Sequence, residues 1–539
     1  MRRKLFTPSV RGSRRGRAAL CVPAVLAAVP CAAAGDGDRT EDRRPNIIHI
    51  MSDDHAWQAI GAYGHPLMRQ AQTPNIDRLA SEGMMFRRAY VENSLSTPSR
   101  ACLMTGLYSH QNGQRRLDGG MDTSVTFMPE LLQQSGYTTA VIGKWHMLCE
   151  PKGFDYYRIL RGQGEYYDPV FKTPDSEGYV RQSGYVTDLI TDYAIDFLES
   201  RDRSKPFCLF VHHKAPHRNW QPDTRYLDLY EDSEFEVPAT FDDDYSSRGP
   251  AASHQQMSID RDMTLVYDLK IHQLRDQHDK YNKWELDVVD SQLGRMSAEQ
   301  REAWENAYGP RNVEIVEGRV EDKDLARWKY RRYVIDYMRC IRSVDDSVGQ
   351  LLDYLEREGL LENTVVVYTS DQGFYMGEHG WFDKRFMYEE SYRTPLIVRY
   401  PSMIDAGTVS DALVQNIDFA PTYLDLAGTD KLPSMSGVSL LPLFASDGKA
   451  PEDWRKYLYY HYYDYPAEHS VMRHDGVSDE RYKLIHFYGP EGSYDEFYDL
   501  QSDSSELHNI IGEESVQSHV ERLQRQLEAF RTQLAIDEY

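Results

Sequence analysis

The chain has 539 residues, with 41% hydrophobic and 27% charged side chains and a formal net charge of −24. That length and composition provide for more than one folding unit and a large apolar core. The acidic balance excludes a general nucleic-acid binder, which needs clustered Lys and Arg, so an anionic ligand must enter a local basic pocket.

Residues 1–34 have the layout of an export signal. Arg2, Arg3, Lys4, Arg11, Arg14, Arg15 and Arg17 form a basic region, residues 18–29 are apolar, and Ala32, Ala33 and Ala34 offer a cleavage site. The apolar stretch is well below the ~20 residues of a membrane span, and no other segment of the sequence could span a bilayer. A periplasmic or secreted protein is expected, by either the Sec or the twin-arginine route. Residues 35–44 read as a polar linker. Beyond the signal, Cys102, Cys149, Cys208 and Cys340 show no CxxC spacing, which predicts buried free thiols with at most one bridge.

From Pro45 onward strands and helices alternate. Short β-rich runs fall at 46–51, 138–142, 207–211, 364–369 and 395–398, with a helical stretch at 129–134. A long amphipathic helix is predicted over about 327–356, where Val334, Ile335, Met338, Ile341, Val344, Val348, Leu351, Leu352 and Leu355 recur at helical spacing. Continuous apolar runs alternating with helices predict an α/β domain around a mainly parallel sheet. Residues 241–310 are polar and weakly periodic and read as a partly helical insertion. Gly, Asp, Pro and Ser concentrate over 428–442, placing a boundary at 430/431 between a 45–430 catalytic domain and a smaller 431–539 α+β subdomain. The latter has strands predicted at 457–463, 482–487 and 497–500 and a terminal helix at 515–534.

Four of the predicted strands end in chemically competent residues. Asp53 and Asp54 follow the first, Lys144 and His146 the second, His217 the third, and Asp371 and Gln372 the fourth. Ligands of open α/β sheets bind beyond the carboxyl ends of strands. Either acidic group alone is ordinarily a solvated turn or a helix cap. Together they offer three carboxylates and an amide, an oxygen set suited to Ca²⁺ or Mg²⁺ rather than zinc. Ser96-Thr97-Pro98-Ser99-Arg100 precedes an apolar stretch that stops at Gly106. Thr97 as N-cap, Pro98 in the first turn and Gly106 at the end predict a helix whose N-terminus favours an anion beside Ser96.

This last motif resembles the sulfatase signature, in which the first residue, Cys or Ser, is oxidised to formylglycine (3-oxoalanine). The resemblance extends over most of the chain from Pro45, through Pro45-Asn46-Ile47-Ile48, Thr73-Pro74-Asn75-Ile76-Asp77, Gly143-Lys144-Trp145-His146, Ala215-Pro216-His217 and Ser370-Asp371-Gln372-Gly373. It implies an alkaline-phosphatase-like fold, with a central mainly parallel sheet flanked by helices and a smaller C-terminal subdomain. It also implies a serine-type enzyme that depends on a formylglycine-generating maturase. Asp53, Asp54, Asp371, Gln372 and modified Ser96 would bind the cation, calcium before magnesium. Arg100 and Lys144 would hold the formylglycine hydrate, His146 would be its base, and His217 and Lys384 would contact the sulfate and help the ester oxygen leave. Cleaving a sulfate ester needs a nucleophile, charge neutralisation on the sulfate oxygens and a proton for the departing alcohol. An unmodified serine could attack, but it would be left as a stable sulfate ester.

The run from Gly380 through Asp383, Lys384 and Arg385 to Ser391, with Glu468 to His474, resembles the N-acetylglucosamine-6-sulfatase branch of bacterial sulfatases. That implies a sulfated carbohydrate as partner, from a glycosaminoglycan or mucin glycan. Asp383 and Arg385 would grip adjacent sugar hydroxyls, one accepting and one donating, and His469 or His474 would reach the same sugar. A structural Asp–Arg pair is the competing reading. A phosphomonoester or phosphodiester hydrolase on the same fold and a catalytically silent glycan-binding protein are the alternatives for the whole chain.

Overall fold

The apolar runs become the middle of one ten-stranded sheet in a computed structural model of the chain, which describes residues 44–276, 282–490 and 492–539. The expected export signal and the linker up to residue 43 lie outside the described residues. In chain order the strands before the C-terminal part are β1 (Asn46–Ser52), β2 (Met84–Phe86), β3 (Ala89–Tyr90), β4 (Thr138–Gly143), β5 (Tyr156–Leu160), β6 (Val170–Lys172), β7 (Val180–Arg181), β8 (Phe207–His213), β9 (Thr364–Ser370), β10 (Leu396–Arg399), β11 (Thr408–Ser410) and β12 (Val414–Gln415). The large sheet runs β11-β2-β10-β9-β1-β8-β4-β5-β6-β7, and β3 pairs with β12.

β9, β1, β8, β4 and β5 are parallel neighbours. Antiparallel β10 on one side and β6 and β7 on the other extend the sheet toward its edges. Every residue of β1, β8 and β9 is buried, as a sheet covered on both faces demands. Alternation along β1 divides the covering layers. Ile48 and Ile50 join a core with residues of helices Pro74–Glu82, Val186–Ser200 and Asp322–Arg357. Ile47 and Met51 face residues of helices Ser96–Thr105, Met128–Gln134 and Phe419–Leu426. The long helix begins at Asp322, earlier than its apolar spacing predicts, with Asp322 and Asp324 in a first turn that favours negative charge.

The polar insertion is anchored rather than loose. Its helices Lys283–Leu293 and Ala298–Val316 bring Leu286, Val289, Trp304 and Tyr308 into the first core. The C-terminal part is a four-stranded antiparallel meander, β13 (Leu458–Tyr462), β14 (His474–Ser478), β15 (Tyr482–Gly489) and β16 (Gly492–Asp499), with helix Gln517–Gln533 against it through Val520, Leu523 and Leu527. β14 was not foreseen, because Asp475 and Gly476 are residues that strands disfavour; cross-strand pairing on both sides holds it. Among the described residues Cys102, Cys149, Cys208 and Cys340 are all free, so the single bridge allowed for does not form. No helix among them is long and apolar enough to cross a membrane.

Candidate active site

The registers Ser52↔His213, Ser52↔Ser370 and Gly143↔His212 end β9, β1, β8 and β4 at one level. The residues that follow each strand therefore open onto a common place at the carboxyl edge of the sheet. Asp54 (φ 65°) and His146 (φ 49°) turn the chain there in the left-handed region, a backbone state that non-glycine residues adopt at a cost and that clusters at functional sites.

Helix Ser96–Thr105 points its N-terminus at the same place and is buried throughout. The expected Thr97 N-cap is corrected: Leu95 occupies the cap and makes no side-chain bond. Thr97 lies inside the helix, its Oγ1 3.4 Å from His146 Nδ1. The helix's first N–H groups thus face the site without a side-chain cap, which suits an anion. Gly106 ends the helix in the left-handed state, as expected. Ser96 Oγ donates to Asp53 Oδ1 at 3.3 Å. One turn on, fully buried Arg100 donates to Asp371 Oδ2 at 2.9 Å and to the Lys144 carbonyl at 2.8 Å.

Asp53, Asp54 and Asp371 are buried side by side. Lys144 Nζ pairs with Asp53, Lys384 Nζ with both Asp54 oxygens at 2.6 and 2.7 Å, and Arg100 with Asp371. Burial would raise the Asp53 carboxyl, but Lys144, His217 and Arg100 outweigh it and hold the group well below its ordinary range. Asp54 is pushed up to about 7 by burial and by the charges of Asp53 and Asp371, against the pull of Lys384. Asp371 is raised by burial and by Asp53. Gln372 Nε2 donates to Asp54, while buried Gln372 Oε1 has no hydrogen-bond partner among the described residues. Three crowded carboxylates and an unpartnered amide oxygen form a donor set that fits a hard divalent cation. Ligand atoms of Asp53, Asp54 and His217 also lie within 4.8 Å of one another. His217 Nε2 is 3.7 Å from Asp54 Oδ2, so a histidine not counted among the metal donors borders them.

Burial, reinforced by Lys144, keeps His146 well below its ordinary pKa, and burial does the same to His217. Burial therefore favours the neutral form of both imidazoles. Two groups at the site escaped the sequence analysis. Gln163, in the turn after β5, accepts from Lys144 Nζ. Lys214, just beyond β8, is buried over the Tyr166 ring, and burial with Lys144 nearby lowers its ammonium to about 8. Its place at a strand end was a usable signal; Gln163 had none.

The expected sugar-binding residues divide. Asp383 Oδ2 lies 3.3 Å from His469 Nε2 and Asp383 Oδ1 3.3 Å from Arg385 Nε. Arg385 is buried, yet its Nε and Nη1 donors have no hydrogen-bond acceptor among the described residues. Arg218, which is 3.3 Å from His469 Nε2, is gripped by Asp268 at 2.6 and 3.1 Å, and Arg385 Nη2 lies 3.5 Å from Glu468. The wall beside Lys384 thus joins four distant segments, and Arg218, Asp268 and Glu468 were missed. Arg218 follows His217 directly, while Asp268 sits in the polar insertion, where periodicity is silent. His474 does not join them. It is fully buried on β14, with Nδ1 at 2.8 Å from the Met472 carbonyl and Nε2 accepting from the Met387 N–H at 3.1 Å. With both ring nitrogens used inside an aromatic nest, it holds the loop rather than a ligand.

Known proteins share this arrangement. The sulfatase family model matches residues 45–429, and the model of the N-sulphoglucosamine sulphohydrolase C-terminal region matches 377–533. The chain belongs to the sulfatase family. As a sulfatase it is a hydrolase of sulfate esters, and its α/β fold around a mainly parallel sheet is the one this family uses. The sulfatase is 47% identical over 511 residues to N-acetylglucosamine-6-O-sulfatase of Bacteroides thetaiotaomicron, covering 94% of this chain and 90% of that one. It is 26% identical to the human N-acetylglucosamine-6-sulfatase, over 81% of this chain and 70% of that one. A solved structure of a protein in complex with its substrate D-glucosamine-2-N,6-O-disulfate superposes with a TM-score of 0.87 at 46% identity, over 92% of this chain and 99% of that one.

Proposed function

We propose that this sulfatase removes the 6-O-sulfate of an N-acetylglucosamine unit, using Ser96 matured to formylglycine. The observation that carries the sugar is the wall of Asp383, Arg385 and His469 set directly beside Lys384. A carboxylate, a guanidinium and an imidazole make a cradle for adjacent hydroxyls, accepting from some and donating to others. The names of two relatives and the ligand of the 46% identical structure share a 6-O-sulfated glucosamine, which supports the same reading.

Asp53, Asp54, Asp371, Gln372 and residue 96 would hold one Ca²⁺, with Mg²⁺ second, and the bound cation would draw charge from the sulfate oxygens and orient the nucleophile. The hydrated aldehyde of residue 96 supplies one hydroxyl to attack sulfur and a second through which sulfate is later expelled. Arg100 and Lys144 neutralise and orient that group. His146, neutral and beside Thr97, takes the proton of the second hydroxyl. His217 and Lys384 would contact the sulfate and help the ester oxygen leave. The N-terminal signal supports export to the periplasm or beyond, with maturation of Ser96 by a serine-type maturase before export.

Mass spectrometry of the Ser96 peptide from active enzyme tests the nucleophile, because conversion of CH₂OH to CHO removes two hydrogens. Unmodified serine in fully active enzyme would sink the mechanism. The sugar is tested by comparing 6-O-sulfated N-acetylglucosamine with galactose-6-sulfate and a 2-O-sulfated uronic acid. Buried polar pairing discriminates strongly against the wrong hydroxyl pattern, so the first should be the preferred substrate by a wide margin. Preference for either of the others would defeat the sugar assignment and leave sulfatase activity intact.

A further inference from the structure

We propose that Trp284 and Tyr267, carried by the polar insertion, form an aromatic platform for the sugar unit joined to the sulfated one, a reading that rests on the sugar assignment made above. The platform continues the sugar wall. Arg218 Nη1 is 3.3 Å from His469 Nε2, and the same guanidinium lies over two rings, Phe382 at 5.0 Å and Tyr267 at 5.1 Å. The Tyr267 ring has Trp284 as its next neighbour, with centroids 5.4 Å apart. Exposure rises along this path. Lys384 and Arg385 are 3% and 2% exposed, the Arg218 side chain 12% and Trp284 59%. The aromatic steps therefore lead from the buried sulfate end of the site to solvent, the course that the rest of a glycan has to take.

The fold does not use the Trp284 ring as core. Helix Lys283–Leu293 buries Leu286, Val289 and Leu293, positions that recur on one helical face. Trp284 precedes Leu286 by two positions, which puts it about 200° round the helix from that residue. A lone exposed aromatic is common on protein surfaces, but this one is fixed to the active site. Asn219 and Gln292 exchange hydrogen bonds at 3.0 and 3.1 Å, and Asn219 Nδ2 also donates to the Tyr267 carbonyl at 2.6 Å. Gln221 Nε2 donates to Gln292 at 2.8 Å as well. Asn219 and Gln221 are buried and follow His217 and Arg218 in the chain. Their amides join the helix that bears Trp284 to the segment that bears His217. A surface held in place this way before the ligand arrives loses little freedom on binding.

The chemistry of the surface identifies the occupant. An aromatic face is flat, apolar and the negative side of the ring quadrupole. A pyranose ring presents the matching surface, a patch of polarised C–H bonds, and keeps its hydroxyls in water at the rim. The direction of the chain follows from the wall. Asp383 can accept only from a hydroxyl, and an oxygen engaged in a glycosidic bond has no hydrogen to donate. The hydroxyls gripped beside Lys384 must therefore be free, and the chain leaves the sulfated unit through its anomeric carbon. The unit on Trp284 and Tyr267 is then the neighbour on the reducing side.

Steady-state kinetics on two esters decide the matter. One is 6-O-sulfated N-acetylglucosamine; the other is a trisaccharide with that unit at its non-reducing end, followed by two neutral sugars. The parent enzyme should show a KM at least about tenfold lower on the trisaccharide. Trp284→Ala should erase that advantage while leaving kcat/KM on the monosaccharide within about twofold, as an exposed side chain outside the catalytic machinery allows. Trp284→Phe, which keeps a flat ring, should retain most of the advantage. Arg385→Ala, which acts on the sulfated unit itself, should weaken both substrates alike. Equal KM for the two esters in the parent overturns the platform and leaves the sugar assignment standing. An advantage that survives Trp284→Ala, or an equal loss on both esters in that variant, does the same. Hydrolysis of neither ester overturns the sugar assignment and the platform with it.

Discussion

At the scale of single residues the site separates side chains whose loss removes chemistry from those whose loss removes support. Among the described residues Ser96 Oγ makes one hydrogen bond, at 3.3 Å, so its loss should cost the fold little, while Ser96→Ala should reduce turnover by at least ~10³-fold, as expected for a nucleophile. Its melting temperature should stay within a few degrees of the parent; a large drop would mean that Ser96 is structural. Arg385→Ala removes a charged donor pair from the sugar wall. The loss should be about 10–100-fold in kcat/KM on 6-O-sulfated N-acetylglucosamine, the equivalent of one or two charge-assisted hydrogen bonds. The two histidines first grouped with Arg385 should behave oppositely. His469→Ala should raise KM. His474→Ala strips the Met387 N–H of its acceptor and should cost about 1–3 kcal/mol in chemical denaturation, with the smaller effect on KM. Equal effects on KM would return His474 to the ligand.

At the scale of elements, the strand ends and the turns after them set where the chemistry sits. Gly143 closes β4 at φ +104°, and a Cβ there would lie 1.9 Å from the His212 carbonyl oxygen. Gly143→Ala therefore has to push β4 away from β8, and it carries Lys144 and His146 along. A destabilisation of ~3 kcal/mol or more is expected from combined strain and clash. It should come with a fall in kcat/KM at a substrate concentration where the folded fraction is unchanged. Wild-type stability in urea would show that the two strands are not held in this register. The helix from Ser96 follows the same logic. Its end at Gly106 was legible from the sequence, whereas its start was placed too late, because Thr97 was read as a cap and instead turns its hydroxyl toward His146.

For the whole molecule the dominant electrostatic fact is a buried concentration of acid within an acidic chain. Asp53, Asp54 and Asp371 repel one another at the ends of two neighbouring strands, β1 and β9, so a bound cation should stabilise the fold as well as the reaction. With free cation at one hundred times its Kd the linkage is worth about 2.7 kcal/mol. Chelation should accordingly abolish activity and lower the melting temperature, and calcium should restore both. Restoration by zinc alone would contradict the oxygen-donor reading.

What the sequence determined by itself was everything carried by local pattern. Uninterrupted apolar runs announce strands covered on both faces, 3.6-residue spacing announces the helix behind them, and polar residues right after the runs announce the edge where ligands bind. The residues from Asp53 to Gln372 were legible for that reason, since a parallel sheet places every strand end on one side. Tertiary structure alone decided which residues complete the sugar wall around Asp383 and Arg385. Arg218, Asp268, Glu468 and His469 come together beside Arg385 only because the loops after β8 and β9, the insertion and the C-terminal meander pack on one another. No spacing within any one of those segments encodes such a meeting. The same holds for His474, whose imidazole is withdrawn by β14 pairing with β13 and β15. A polar residue's neighbours in the chain state what it can donate or accept. Only the packing states whether a ligand or another part of the protein receives it.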